Sequence, residues 1–171
     1  MRTPTFIAAT AALLALPTLA EMMDVPEAVR PPPGHKMSLH TVGVGEITYE
    51  CRVKTGSSDA YDWAFVAPVA TLSDVNKQAV GKYYAGPTWE ANDGSKVSGK
   101  QVAVAPASAG SIPLQLVKAE PASGTGTMNG VTYIQRLNTK GGVAPTDACS
   151  ASSAGARKQV SYQADYVFYK M

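Results

Sequence analysis

Glu46-Ile47-Thr48-Tyr49-Glu50-Cys51-Arg52-Val53 alternates polar and apolar side chains without a break. Ile47, Tyr49, Cys51 and Val53 share one face, and Glu46, Thr48, Glu50 and Arg52 share the other. A period of two is the mark of a strand buried on one side, as in an antiparallel sheet, and it turns Cys51 inward. Outward from this stretch, Gly56-Ser57-Ser58-Asp59 is a turn. Tyr61, Trp63 and Phe65 then line a second strand on a face that reads as core, and Pro68 is expected to end it. Further strand candidates are Lys82 to Ala85, Ser95 to Ala105, Ile112 to Ala119, Val131 to Asn138 and Ser161 to Lys170. Turn signals separate them, among them Asn92-Asp93-Gly94, Asn129-Gly130 and Gly141-Gly142. No segment keeps a helical period, although one short helix is expected near Ser73 to Val80. Short strands at this spacing predict an all-β, single-domain antiparallel sandwich or barrel.

Composition narrows the class further. The chain has 171 residues, with 15 Lys and Arg against 13 Asp and Glu, a net charge of +2 that gives no basic footprint for nucleic acid. Charged residues make up 16%, too few for a coiled coil or a disordered chain. Residues 1–20 read as a signal peptide. Arg2 supplies the positive start, Phe6 to Leu16 the apolar run, and Thr18-Leu19-Ala20 the small residues of a cleavage site after Ala20. The run falls short of the roughly 20 apolar residues needed to span a bilayer, and no later run approaches it, so no membrane span is expected after cleavage. Export to the periplasm or the extracellular space follows. Residues 21–36 form a Pro-rich lead-in with Pro26, Pro31, Pro32 and Pro33, and residues 37–171 form the β domain.

Cys51 and Cys149 are the only cysteines. In an exported chain an even pair reads as one disulfide closing the domain. Residues 146–159 are small and polar and read as a mobile surface loop pinned at Cys149.

No motif names a reaction. His35 and His40 are the only histidines, and no HxH, HExxH, CxxC or calcium-loop pattern occurs, so no metal site is expected. Gly-x-Ser-x-Gly, G-x-G-x-x-G and the P-loop are absent, so no cofactor is implied. Paired carboxylates are the strongest enzymatic option, with Glu90, Asp93 and Asp165 available for hydrolase or lyase chemistry. Aromatic rings beside polar groups suit a carbohydrate or small-molecule site on a β domain. Trp89 lies between Pro87 and the Asn92-Asp93-Gly94 turn, where a loop ring would be half exposed and border such a site. The alternative is a ring that caps the core. Glu90, Arg136 and Asp165 are expected to form one polar network, either at a ligand site or as buried structural pairs. The candidate ligand-binding set is therefore Trp89, Glu90, Arg136 and Asp165. Binding or surface interaction is the leading role, and a purely structural envelope role or a carboxylate-based enzyme the alternatives.

Several blocks resemble one family. They are Val25-Pro26-Glu27-Ala28-Val29-Arg30-Pro31-Pro32-Pro33-Gly34-His35, Tyr49-Glu50-Cys51, Trp63-Ala64-Phe65-Val66-Ala67-Pro68 and Tyr84-Ala85-Gly86-Pro87-Thr88-Trp89-Glu90. Asp93-Gly94-Ser95, Ile134-Gln135-Arg136-Leu137-Asn138-Thr139 with Gly141-Gly142, and Ala164-Asp165-Tyr166 follow. In this order they resemble the exported bacterial and fungal proteins grouped as DUF3455, over nearly the whole chain after the signal. The resemblance implies export and supports the Cys51–Cys149 pairing, and it carries no activity. Members often read Gly-Val-Gln-Ile-Tyr before the first Cys, where this chain has Gly45-Glu46-Ile47-Thr48-Tyr49.

Overall fold

Each strand of the computed structural model, which describes residues 25–171, pairs with the next one along the chain, and the last closes on the first. The strands are β1 (Lys36–Val53), β2 (Tyr61–Ser73), β3 (Ala79–Tyr84), β4 (Thr88–Ala91), β5 (Lys96–Ala105), β6 (Leu114–Ala119), β7 (Val131–Gly141) and β8 (Arg157–Lys170). The result is a closed antiparallel barrel, the second of the two architectures that the alternation allowed. Closure gives every strand a neighbour on both sides, so the sheet has no edge strand. The expected signal peptide, residues 1–20, lies outside the described residues.

Alternation decides what fills the barrel. Ile47 and Tyr49 from β1, Ala70 and Leu72 from β2, Tyr83 from β3 and Trp89 from β4 point inward and are buried. They meet Val97, Val117, Ile134, Tyr162, Tyr166 and Phe168 from β5 to β8. Two glycines make the close approach of strands possible. A Cβ on Gly45 would sit 1.9 Å from the Val69 carbonyl oxygen, and one on Gly43 would sit 2.6 Å from the Tyr166 ring.

A second, smaller cluster lies on the outside. Val29 from the Pro-rich lead-in packs against Leu116 and Ala105 on the outer face of β5 and β6. Gln135 Nε2 donates to the Val29 carbonyl at 2.5 Å, and Tyr169 Oη donates to Gln135 Oε1 at 2.6 Å. Among the described residues the lead-in holds one 3-10 turn, Glu27–Val29.

The two barrel ends differ. Residues 74–78, 92–95 and 120–130 connect strands at the base. There Asp93 accepts hydrogen bonds from the backbone N–H and hydroxyl of both Ser95 and Thr127, at 2.5 to 2.9 Å. These bonds hold its carboxyl well below the ordinary range, with the Ser95 hydroxyl the largest contributor. The same staple seats Met128, 1% exposed, in the barrel floor. The mouth carries residues 54–60, 85–87, 106–113 and 142–156.

Three local expectations are corrected. Residues 73–80 form no helix: Asp74 Oδ1 accepts from the N–H groups of Asn76 and Gln78, and the chain turns directly into β3. Pro68 does not end β2, because β3 pairs only from Val69 onward and asks no N–H of Pro68. The 146–159 segment is tied down at more than Cys149. Cys51 exchanges backbone hydrogen bonds with Gly155 and Ala156, at 2.9 Å each. Trp63 Nε1 donates to the Asp147 carbonyl at 2.9 Å. Cys51 and Cys149 are bonded, with Cα atoms 5.6 Å apart.

Candidate functional site at the barrel mouth

The mouth opens because the inward face changes character there. On β5 the inward series runs Val97, Gly99, Gln101, and on β6 it runs Val117 and then Gln115, towards the same end. On β7 Ile134 is followed inward by Arg136. These positions surround a cavity of about 550 Å³, walled on the β2 side by Phe65, Val66 and Pro68, with Tyr83 deeper in. The 85–87 turn and Lys100 complete its rim.

A register shift between β1 and β2 at Thr48/Tyr49 sets Phe65 opposite Tyr49, on the inward face. The two rings meet edge to face, 6.2 Å between centroids. The alternation therefore placed Tyr61, Trp63 and Phe65 on the correct face, and Trp63 packs against the core as expected, but this part of β2 rises past the end of β3 and leaves Phe65 uncovered. Phe65 is 57% exposed, and its ring forms part of the cavity wall.

Arg136 is the one charged group at the cavity that reaches inward. Its Nε and Nη2 donate to the Pro113 carbonyl at 3.1 and 2.9 Å. Among the described residues it pairs with no carboxylate. Lys100 points outward and pairs with Glu120 at 3.2 Å. Gln115 Nε2 donates to Gln101 Oε1 at 2.6 Å across the β5–β6 wall. Burial pushes the phenols of Tyr49, Tyr83, Tyr162 and Tyr166 up, Tyr162 to about 12, and the Arg136 charge offsets part of that push at each. One guanidinium is thus felt by four inward hydroxyls. The cavity thus combines an apolar wall, a few placed donors and one cation, the elements from which small-molecule sites are built.

Of the four residues singled out in the sequence, only Arg136 lies at this cavity. Trp89 is 1% exposed, which corrects the half-exposed loop ring. Tight turns on both sides leave room for the four-residue strand β4, and alternation sends Trp89 inward and Glu90 outward. The indole stacks on Tyr83 at 4.8 Å and meets Tyr166 and Phe168 edge-on. Glu90 accepts from Tyr84 Oη at 2.8 Å and pairs with Lys82 and Lys96 at 3.3 and 3.2 Å. The Tyr84 hydrogen bond and then the two ammonium groups outweigh desolvation and lower its carboxyl. It lines a smaller outer hollow of about 250 Å³ with Gly81, Lys82 and Asn92. Asp165 lies on the outer face of β8, 3.2 Å from His40 Nε2, and accepts from Asn138 Nδ2 at 2.8 Å. The single network expected of Glu90, Arg136 and Asp165 is therefore not formed: alternation puts the two carboxylates outside and the guanidinium inside. Phe65, Gln101 and Gln115 were missed. Their signal was an inward face that turns polar at one end of two neighbouring strands.

Among the described residues no group of three or more His, Cys, Asp or Glu side chains could hold a metal ion, and no helix is long and apolar enough to cross a membrane. No curated protein and no solved structure matches the chain. A family model described as "Protein of unknown function (DUF3455)" matches residues 32–170, and the chain belongs to that family.

Proposed function

We propose that this protein binds a small molecule in the open mouth of its barrel. The cavity of about 550 Å³, closed below and open above, carries the reading. Its volume falls within the roughly 300–1,000 Å³ typical of small-ligand sites, and an eight-stranded barrel has an interior suited to one small ligand. A binding role is also favoured by the state of the carboxylates. Glu90 on β4 and Asp165 on β8 belong to strands that do not pair, and each is engaged by its own partners, so among the described residues no carboxylate pair faces the cavity. The protein works outside the cytoplasm, periplasmic or extracellular. The signal-like residues 1–20 and the Cys51–Cys149 disulfide support this.

The test uses a neutral dye, N-phenylnaphthylamine, whose fluorescence rises in apolar surroundings. The wild-type protein should bind about one equivalent. Gln101→Trp, which places an indole in the mouth, should abolish the signal while the folded spectrum persists. No binding by the wild type, or equal binding by both proteins, refutes the mouth as a site.

A further inference from the structure

We infer that the ligand is a small anion with an apolar body, its acid group held by Arg136 and its body lying on Phe65, Pro68 and Tyr83. This rests on the mouth being the binding site and names the class of molecule that fits it.

The charge argument comes from what the mouth lacks as much as from what it holds. The charged residues lining the cavity are Lys100 and Arg136, both cations. Lys100 is neutralised by Glu120 and lies at the surface. Arg136 is not neutralised by any carboxylate among the described residues. A guanidinium has five N–H donors, and the Pro113 carbonyl takes only two of them, one from Nε and one from Nη2. The donors left over include both on Nη1, and a carboxylate or sulfonate is the acceptor that matches a guanidinium. An unpaired cation in a half-closed apolar cup raises the affinity for an anion above that for a neutral molecule of the same shape.

The apolar argument is geometric. Phe65 projects over the cavity with more than half its surface free, which is unusual for a phenyl on the inward face of a barrel. Its edge-to-face contact with Tyr49 fixes the ring, and stacking on Trp89 fixes Tyr83 below. Two held rings and the Pro68 wall lose little freedom when a flat or aliphatic body settles on them. The Gln101–Gln115 pair stands opposite with donors and acceptors for a secondary polar group.

The experiment compares two dyes that share a skeleton: N-phenylnaphthylamine, which is neutral, and anilinonaphthalene sulfonate, which adds one sulfonate. The wild type should bind the sulfonate more tightly, with an affinity that falls as salt is added. Arg136→Met should weaken the sulfonate by at least about tenfold, the range for a charge-assisted hydrogen bond, and leave the neutral dye within about twofold. Arg136→Lys keeps the charge and should recover part of the loss. Retained binding of the neutral dye shows that the mouth is intact in each variant. Equal affinity of the wild type for both dyes, or a sulfonate affinity unchanged in Arg136→Met, overturns the anionic ligand and leaves the mouth standing as a site. Failure of the wild type to bind either dye overturns both readings.

Discussion

Replacing Trp89 by Phe is expected to leave stability nearly unchanged, although Trp89 is among the most deeply buried large side chains of the barrel. Two opposed effects nearly cancel. Aromatic side chains bury about 150–250 Å² each, so shrinking the indole to a phenyl forfeits on the order of 50 Å². At ~25 cal/mol per Å² that is about 1 kcal/mol, with a further cost for the small cavity left behind. Against this, the buried indole Nε1 finds no acceptor among the described residues. An unpaired buried donor costs about 1–3 kcal/mol, and Phe removes the donor. The stacking on Tyr83 and the edge contacts with Tyr166 and Phe168 need only a ring and survive. The net change is therefore within about 1 kcal/mol, whereas Trp89→Ala, which loses the ring, costs about 3–5 kcal/mol. Urea unfolding at unchanged m-value reads both numbers. A Trp89→Phe cost close to that of Trp89→Ala would refute the cancellation and show that the N–H is bonded in the folded protein. Dye binding in Trp89→Phe should match the wild type, because the indole lies beneath Tyr83 and not at the cavity wall.

Intact mass of the protein recovered from outside the cytoplasm should correspond to a chain starting at Glu21, with no thiol alkylated before reduction and two after it. Two thiols reacting before reduction would contradict the disulfide. A bridge spanning 98 residues is expected to contribute about 4–5 kcal/mol on a chain-entropy basis, read as the loss of stability in the double variant Cys51→Ala with Cys149→Ala. The His40–Asp165 pair predicts a pH window. The Asp165 carboxylate, 3.2 Å from His40 Nε2, outweighs burial and raises the His40 pKa above 6.5, so its stabilisation is complete below that value and is lost as pH rises through the folded pKa. Burial opposes the charge on Asp165, but the adjacent His40 ring and the hydrogen bond from Asn138 prevail and lower its pKa below 3.8. Its stabilisation is lost as pH falls through that lower value. The excess stability of the wild type over His40→Gln should peak between pH 3.8 and 6.5, and a thermal-unfolding difference that stays flat from pH 4 to 9 would contradict the pairing.

The barrel was legible in the sequence because alternation is local. Ile47, Tyr49 and Cys51 face inward for the same reason that Tyr162, Ala164, Tyr166 and Phe168 do, and both sets were readable one strand at a time. Strand ends were less so. Whether Pro68 stops β2 depends on how far β3 reaches, and β3 is ended by the turn at residues 85–87. The site was harder still. Trp89 and Glu90 stand out by residue type and context, but which face of a four-residue strand is buried depends on register with β3 and β5. Phe65 reads as core because a phenyl on an inward face belongs in a core, and only the greater height of β2 over its neighbour leaves it uncovered. Arg136 was readable as unusual, while its partner was not: Pro113 comes from a connection more than twenty residues away in sequence.

The asymmetry of the two ends connects stability to binding. At the base the buried Ser95 hydroxyl donates to the Asp93 carboxylate, which also accepts from the Thr127 N–H and hydroxyl, and the Met128 N–H donates to Ser95 Oγ as its side chain fills the floor. That end behaves as the floor of a core. At the mouth the inward positions carry Gln101, Gln115 and Arg136, where Leu or Met would extend the apolar interior and bury more surface. An inward-facing guanidinium with donors to spare, beside a phenyl left in the open, is poor packing by the standard that the base meets. Deviations of this sort concentrate where a protein gives up stability for function. Both lie at the same end of the barrel, around one cavity.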